Sequence, residues 1–325
     1  MTEDRSNASL PTTPVTSPTP PTIDAVAAER WRVGAPALSP WLHEEIGQRM
    51  QERLGWIKRQ PAAWADWSPL RGGLRTHAQV AQRYPQARAV LVESAEPLAR
   101  AARELLAPQR SWWRRLASGP GPALEMVPDG RGLQVDMVWA NMGLHTAAQP
   151  QRLMAQWHDA LVPDGFLMFS CLGPDTAREL RALYQAQGWP PPGHAFTDMH
   201  DWGDMLVQAG FAEPVMDMER IVLTYDSAAR LLQELREIGR NLHPARFPAL
   251  RGRGWRRALE QALAGGTGAD PGAPAGGRLS LTFEVIYGHA FKAAPRVPVA
   301  GTSSIGLDDM RSLLRSGKKP VRPAS

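Results

Sequence analysis

The sequence predicts an α/β protein built on a doubly wound, mostly parallel sheet with an antiparallel edge. Three observations predict it. Short apolar runs recur at Ala62–Trp67, Ala89–Glu93, Ala123–Val127, Val135–Ala140 and Phe166–Cys171, each of strand length. Segments of helical periodicity, Leu74–Tyr84, Pro97–Leu106 and Pro150–Leu161, lie between most of them. That rhythm places helices on both faces of a parallel sheet. Two longer alternating runs, Pro214–Tyr225 and Leu279–Phe291, close the pattern as an antiparallel pair.

In chain order, residues 1–38 form a Pro/Thr/Ser-rich tail expected to be disordered, because residues 1 to about 24 offer almost no bulky apolar groups. Trp41 to Trp56 then sets Leu42, Ile46, Met50 and Leu54 at helical spacing behind Ser39 and Pro40. Pro163-Asp164-Gly165 supplies turn residues ahead of the fifth strand. A helix is expected from about Pro174 to Gln187, and another from Ser227 to Gly239. Between them Thr197, Asp198 and Asp201 open a short helix that Gly210 stops. Ala264–Gly277 is rich in Gly, Pro and Ala and reads as a flexible insertion, the late part of the domain spanning about 227–278. One domain over residues 39–293 and a basic, flexible tail over 294–325 complete the expected organisation.

Composition bounds the function. With 325 residues, 43% hydrophobic and 21% charged, the chain is an ordinary globular protein. No apolar run reaches spanning length and no basic start precedes an apolar core, so no membrane role is expected. A single cysteine, Cys171, excludes an intramolecular disulfide and points to the cytoplasm. The net charge of +5 invites nucleic acid as a partner. Against that, the basic charge is nearly all arginine, with only Lys58, Lys292, Lys318 and Lys319 as lysines, and Asn141-Met142-Gly143-Leu144 lacks the Asn-Pro-Pro-Tyr of base methylases. Eight arginines from Arg230 to Arg257 read either as a solvated helical face or as a landing patch for an acidic partner.

A βαβ opening of this kind binds small ligands at the carboxyl ends of its strands. The first turn, Asp66-Trp67-Ser68-Pro69-Leu70-Arg71-Gly72, keeps the ends of an acidic-x-Gly-x-Gly-x-Gly loop, but Ser68 and Leu70 stand where glycines belong. Glu93 ends the second strand, 21 residues beyond Gly72, where a carboxylate can accept from ribose hydroxyls. Asp136 and Asn141 flank the fourth strand. His200 and Asp204 would share a helix face, but capping explains the acidic residues there better than a metal does.

Four long strings carry a resemblance: Phe169-Ser-Cys-Leu-Gly-Pro-Asp-Thr-Ala-Arg-Glu-Leu-Arg181, Asp198-Met-His-Asp-Trp-Gly-Asp204, Gly210-Phe-Ala-Glu-Pro-Val-Met-Asp-Met-Glu219 and Thr282-Phe-Glu-Val-Ile-Tyr-Gly-His-Ala290. From about Trp41 to Lys292 the chain resembles the malonyl-acyl-carrier-protein O-methyltransferase family of biotin synthesis. The resemblance implies a seven-stranded class I methyltransferase sheet with helical lid insertions, S-adenosyl-L-methionine as donor and malonyl-acyl carrier protein as acceptor. On that basis Asp66, Gly72, Glu93 and Asn141 are the expected cofactor-binding residues. Arg253, Arg256 and His200 are the expected substrate and carrier contacts. A catalytically silent homologue that keeps the carrier surface is the alternative reading, suggested by Ser68, Pro69 and Leu70.

Overall fold

The computed structural model describes residues 23–106, 125–264, 279–294 and 307–316. Seven strands form one sheet: β1 (Ala63–Trp67), β2 (Arg88–Val92), β3 (Glu125–Val127), β4 (Val135–Ala140), β5 (Leu161–Leu172), β6 (Phe211–Tyr225) and β7 (Leu279–Lys292). Their order is β3-β2-β1-β4-β5-β7-β6. The pairs from β3 to β5 are parallel, and β7 runs antiparallel to both β5 and β6. Strand order therefore reverses between β1 and β4, which opens a crevice at their carboxyl ends.

Alternation along the strands sorts two cores. Trp64, Met137, Trp139, Phe166 and Met168 face one side, with Leu281, Phe283, Val285 and Tyr287 of β7. That side is covered by α2 (Trp41–Arg53), α4 (Leu74–Arg83), α7 (Arg178–Ala186), α9 (Ala228–Ile238) and α10 (Arg253–Ala264). Ala65, Val138, Ala140, Leu167, Phe169 and Cys171 face the other side, under α6 (Pro150–Ala160) and α8 (Met199–Gln208). Period-two side chains make each strand serve both cores, so the central strands carry near-continuous apolar runs.

The turn expected at Pro163-Asp164-Gly165 survives as a loop-out within β5. Leu161 pairs with Val135 and Phe166 with Met137, so four residues oppose one. Asp164 is left-handed (φ 61°). Gly165 is required by close approach, since a Cβ there would lie 2.8 Å from the Val162 carbonyl oxygen.

One expectation is corrected. Within the tail expected to be disordered, residues 25–34 form helix α1 (Ala25–Gly34). Asp24 caps it, accepting from the Val26 and Ala27 amides at 2.9 and 3.0 Å. The cap carboxylate also pairs with Arg246 at 2.5 Å, and the Asp24 amide donates to the Leu242 carbonyl at 2.9 Å. These bonds tie the segment to the domain and offset the ordering entropy that composition alone suggests it cannot meet. The expectations for residues 1–22, for 265–278 of the insertion and for the start of the third run at 123–124 lie outside the described residues. The tail expected over 294–325 also lies outside the described residues, apart from Ala294 and helix α11 (Leu307–Ser316).

Candidate functional site

A cavity of about 410 Å³ opens at the carboxyl ends of β1, β2, β3 and β4, within the size range of small-molecule sites. Its floor is made by the residues that follow each strand: Ser68 after β1, Glu93 after β2, Asp129 after β3, and Asn141 and Met142 after β4. Two of these, Ser68 (φ 56°) and Met142 (φ 58°), are non-glycine residues in the left-handed region, on the two strands that flank the reversal. Strain of this kind gathers where surrounding structure imposes it at a functional site.

The unusual first turn leaves the cavity open. Ser68 takes the left-handed conformation, held by its amide on the Val92 carbonyl at 2.8 Å, and the chain enters the short helix α3 (Pro69–Gly72) at once. Leu70 turns outward from the cavity and is fully buried against Ala95, Leu98 and Ala102, the last two on α5 (Glu96–Leu106). Arg71 lines the cavity and donates to four carbonyls: Pro36, Leu38, Glu237 and Ile238. The last two belong to the C-terminal end of α9, where a cation is favoured. Burial brings the Arg71 guanidinium down to about 10.

Helix α1 contributes Ala25, Ala28, Glu29, Trp31 and Arg32 to the lining. Two guanidiniums approach the Trp31 ring, Arg71 at 5.2 Å and Arg240 at 5.0 Å, both within cation–π range. Arg32 pairs with Glu29 and donates to the Ser94 hydroxyl at 2.9 Å. Of the late helices expected as a lid, α9 reaches the cavity through Ile238, while no residue of α10 is among its lining.

Glu93 is the group most suited to a ligand. One carboxylate oxygen accepts from the Ala95 amide at 3.0 Å, and the other is buried with no partner. Burial pushes its carboxyl up. An orphaned buried carboxylate oxygen is costly until a donor reaches it. Asn141 is different, because its side chain is already spent. Its amide donates to the His43 carbonyl at 2.8 Å and to the Gly72 carbonyl, and its oxygen accepts from the Ser170 hydroxyl at 2.6 Å. It locks α2, the first turn and β5 together beneath the cavity. Gly47 of α2 permits that closeness: a Cβ there would lie 2.8 Å from the Asn141 amide nitrogen.

Two buried histidines also line the wall. His43 is held near 3 by burial, and burial likewise lowers His145 well below its usual value, so both are neutral. Among the described residues no group of three or more His, Cys, Asp or Glu side chains is placed to hold a metal ion. No helix among them is long and apolar enough to cross a membrane.

No family model matches the chain. Curated relatives do. It is 38% identical over 272 residues to the malonyl-[acyl-carrier protein] O-methyltransferase of Gallionella capsiferriformans, covering 81% of this chain and 88% of that one. The chain belongs to the malonyl-[acyl-carrier protein] O-methyltransferase family. The enzyme of that name from Laribacter hongkongensis is 38% identical over 263 residues, covering 78% and 84%. Among solved structures, the YcgJ protein of Bacillus subtilis is similar over 78% of this chain and 99% of its own, at 11% identity and a TM-score of 0.48.

Set beside the family expectation, the cofactor residues divide. Glu93 and Asn141 line the cavity, whereas Asp66 and Gly72 do not. Asp66 is turned to α4, its carboxylate 2.7 Å from Nδ1 of His77. Gly72 offers its carbonyl to Asn141. The carrier group is also divided. Arg253 and Arg256 are exposed on α10, over one core. His200 is exposed at the start of α8, over the opposite core. The sheet lies between His200 and the two arginines. Sequence reasoning missed Trp31, Arg32, His43, Arg71 and His145. Only α1 left a local signal, the capping residue Asp24 ahead of Ala-Val-Ala-Ala-Glu-Arg.

Proposed function

We propose that this protein methylates the free carboxylate of a malonyl group on acyl carrier protein, with S-adenosylmethionine as donor, in the cytoplasmic synthesis of a biotin precursor. Relatives 38% identical over most of their length are named malonyl-[acyl-carrier protein] O-methyltransferases, and Glu93, which lines the strand-end cavity and keeps one buried carboxylate oxygen without a partner, is the observation in the fold that supports the donor assignment. The residues fit the donor. Glu93 holds the ribose hydroxyls. Glu29, Glu93 and Asp129 against Arg32 and Arg71 give the lining a slight anionic excess, which favours a sulfonium. When bound, the donor supplies an electrophilic methyl group on sulfur.

The acceptor needs no base, because a malonyl carboxylate is ionised near neutrality. Neutral His43 and His145 accordingly have no proton to remove. Orientation and exclusion of water supply the acceleration, with α1 in the cavity wall. His145 offers the acceptor a neutral donor: its Nδ1 accepts from the Leu172 amide at 3.4 Å, which leaves the proton on Nε2.

The carrier protein, an acidic partner, docks on the α10 face. Arg253, Arg256 and Arg257 are exposed there, and the preceding loop presents fully exposed Leu250 beside half-exposed Phe247. Expression in a bacterial strain lacking this methylation step tests the reading. Restored growth without biotin supports it. A folded, expressed protein that fails to restore growth favours the silent-scaffold alternative.

A further inference from the structure

We propose that His43 receives the amino-acid end of the sulfonium donor, its Nε2 accepting a hydrogen bond from the donor's α-ammonium. The inference rests on the donor reading above and assigns a residue to it. The His43 Nδ1 lies 2.7 Å from the Arg71 carbonyl oxygen. A carbonyl only accepts, so Nδ1 must carry the proton. In a neutral imidazole the other nitrogen is then a lone-pair acceptor. That Nε2 is buried and has no partner, and His43 is one of the residues that line the cavity. It is shut off from solvent in this conformation, so the assignment requires the wall around His43 to move when the ligand binds.

The chemistry of the wall selects the group. A carboxylate brought to Nε2 would set lone pair against lone pair, whereas an ammonium supplies the missing donor in its charge-assisted form. His145, with its proton on Nε2, presents the opposite polarity and suits an anion. Arg71 lines the same cavity, and its positive charge attracts the carboxylate of the same zwitterionic end. His43 is also fixed in place: its own carbonyl accepts from Asn141 at 2.8 Å, so the acceptor is pre-oriented at the end of β4.

The test is a ligand-by-variant cycle read by calorimetry. S-adenosylhomocysteine and its analogue with hydrogen in place of the α-ammonium are titrated into wild type and His43→Asn. Asparagine keeps a donor for the Arg71 carbonyl and deletes the Nε2 acceptor. Wild type should prefer the complete ligand by tenfold or more, roughly the worth of one charge-assisted hydrogen bond. The preference should shrink at least fivefold in His43→Asn and return partly in His43→Gln, whose amide oxygen can reach the Nε2 position. An unchanged preference in His43→Asn overturns the inference while leaving donor binding intact. Binding of neither ligand to wild type overturns the inference and the donor reading together. Should His43→Asn fail to fold, the ¹⁵N resonance of Nε2 in wild type decides: it should shift with the complete ligand only, and equal shifts with both refute the assignment.

Discussion

Glu93→Gln separates ligand binding from stability. The amide oxygen of Gln can keep the bond to the Ala95 amide, now 3.0 Å, so the local backbone loses little. The second carboxylate oxygen has no partner to lose and is buried in a side chain only 5% exposed. Replacing it with a neutral group removes a desolvation cost, so the ligand-free protein should melt at the same temperature or slightly higher. Binding should suffer instead. A hydrogen bond to a charged group contributes about 1.5–3 kcal/mol, which corresponds to roughly a ten- to hundredfold weaker Kd for S-adenosylhomocysteine. Calorimetry and thermal melts on the same samples check both halves. A lower melting temperature with unchanged affinity would show that Glu93 serves only to cap the start of α5, and would refute the assignment.

Four further outcomes follow from the same geometry. Ribose hydroxyls favour the ionised form of Glu93, whose carboxyl burial pushes up, so donor binding should weaken as pH falls; an affinity for S-adenosylhomocysteine that stays constant on acidification, in protein that remains folded, would contradict this. His43, at about 3, and His145, well below its usual value, both lowered chiefly by burial, stay neutral in the folded state while the unfolded chain protonates near 6.5. Stability should therefore be full above pH 6.5 and fall toward pH 3, by up to about 1.4 kcal/mol per pH unit for each histidine; a urea midpoint that stays flat from pH 7 to 5 would be the contrary result. Removing residues 1–22 should leave S-adenosylhomocysteine affinity unchanged, whereas removing 1–36 strips Trp31 and Arg32 from the cavity wall and should weaken it several-fold; equal affinities of the two truncated proteins would contradict a part for α1 in the site. Charge reversal at Arg253 and Arg256 should slow methylation of malonyl-carrier protein, in a salt-dependent way, far more than that of a small malonyl thioester; equal losses would remove the docking role.

The elements were legible because their signals are local. Buried strands appear as apolar runs, and α2 announced itself through Leu42, Ile46, Met50 and Leu54. The pairing order β3-β2-β1-β4-β5-β7-β6 is not local, and no run of residues states it. The place of Glu93 in the cavity wall was legible, since a residue that ends a central parallel strand sits at the carboxyl edge of the sheet. The pairing of Asp66 with His77 was not legible, because His77 lies a turn into α4 and only the fold brings its ring within 2.7 Å. Asn141 stands where expected but braces the floor, a role set by His43, Gly72 and Ser170 together. Leu70 looked obstructive in the loop, and its destination among Ala95, Leu98 and Ala102 depends on Ser68 adopting a conformation that serine rarely takes. Helix α1 was hidden by the composition of the tail around it, although Asp24 marked its start.

The most direct test of the proposed activity is methyl transfer itself. Purified protein is incubated with malonyl-acyl carrier protein and S-adenosylmethionine labelled on the methyl group, with acetyl-acyl carrier protein as control. The label should appear on the malonyl carrier protein as a base-labile methyl ester, and the acetyl form, which lacks a free carboxylate, should remain unlabelled. No transfer by folded protein that binds the donor, or equal labelling of both carriers, would contradict a carboxyl methyltransferase.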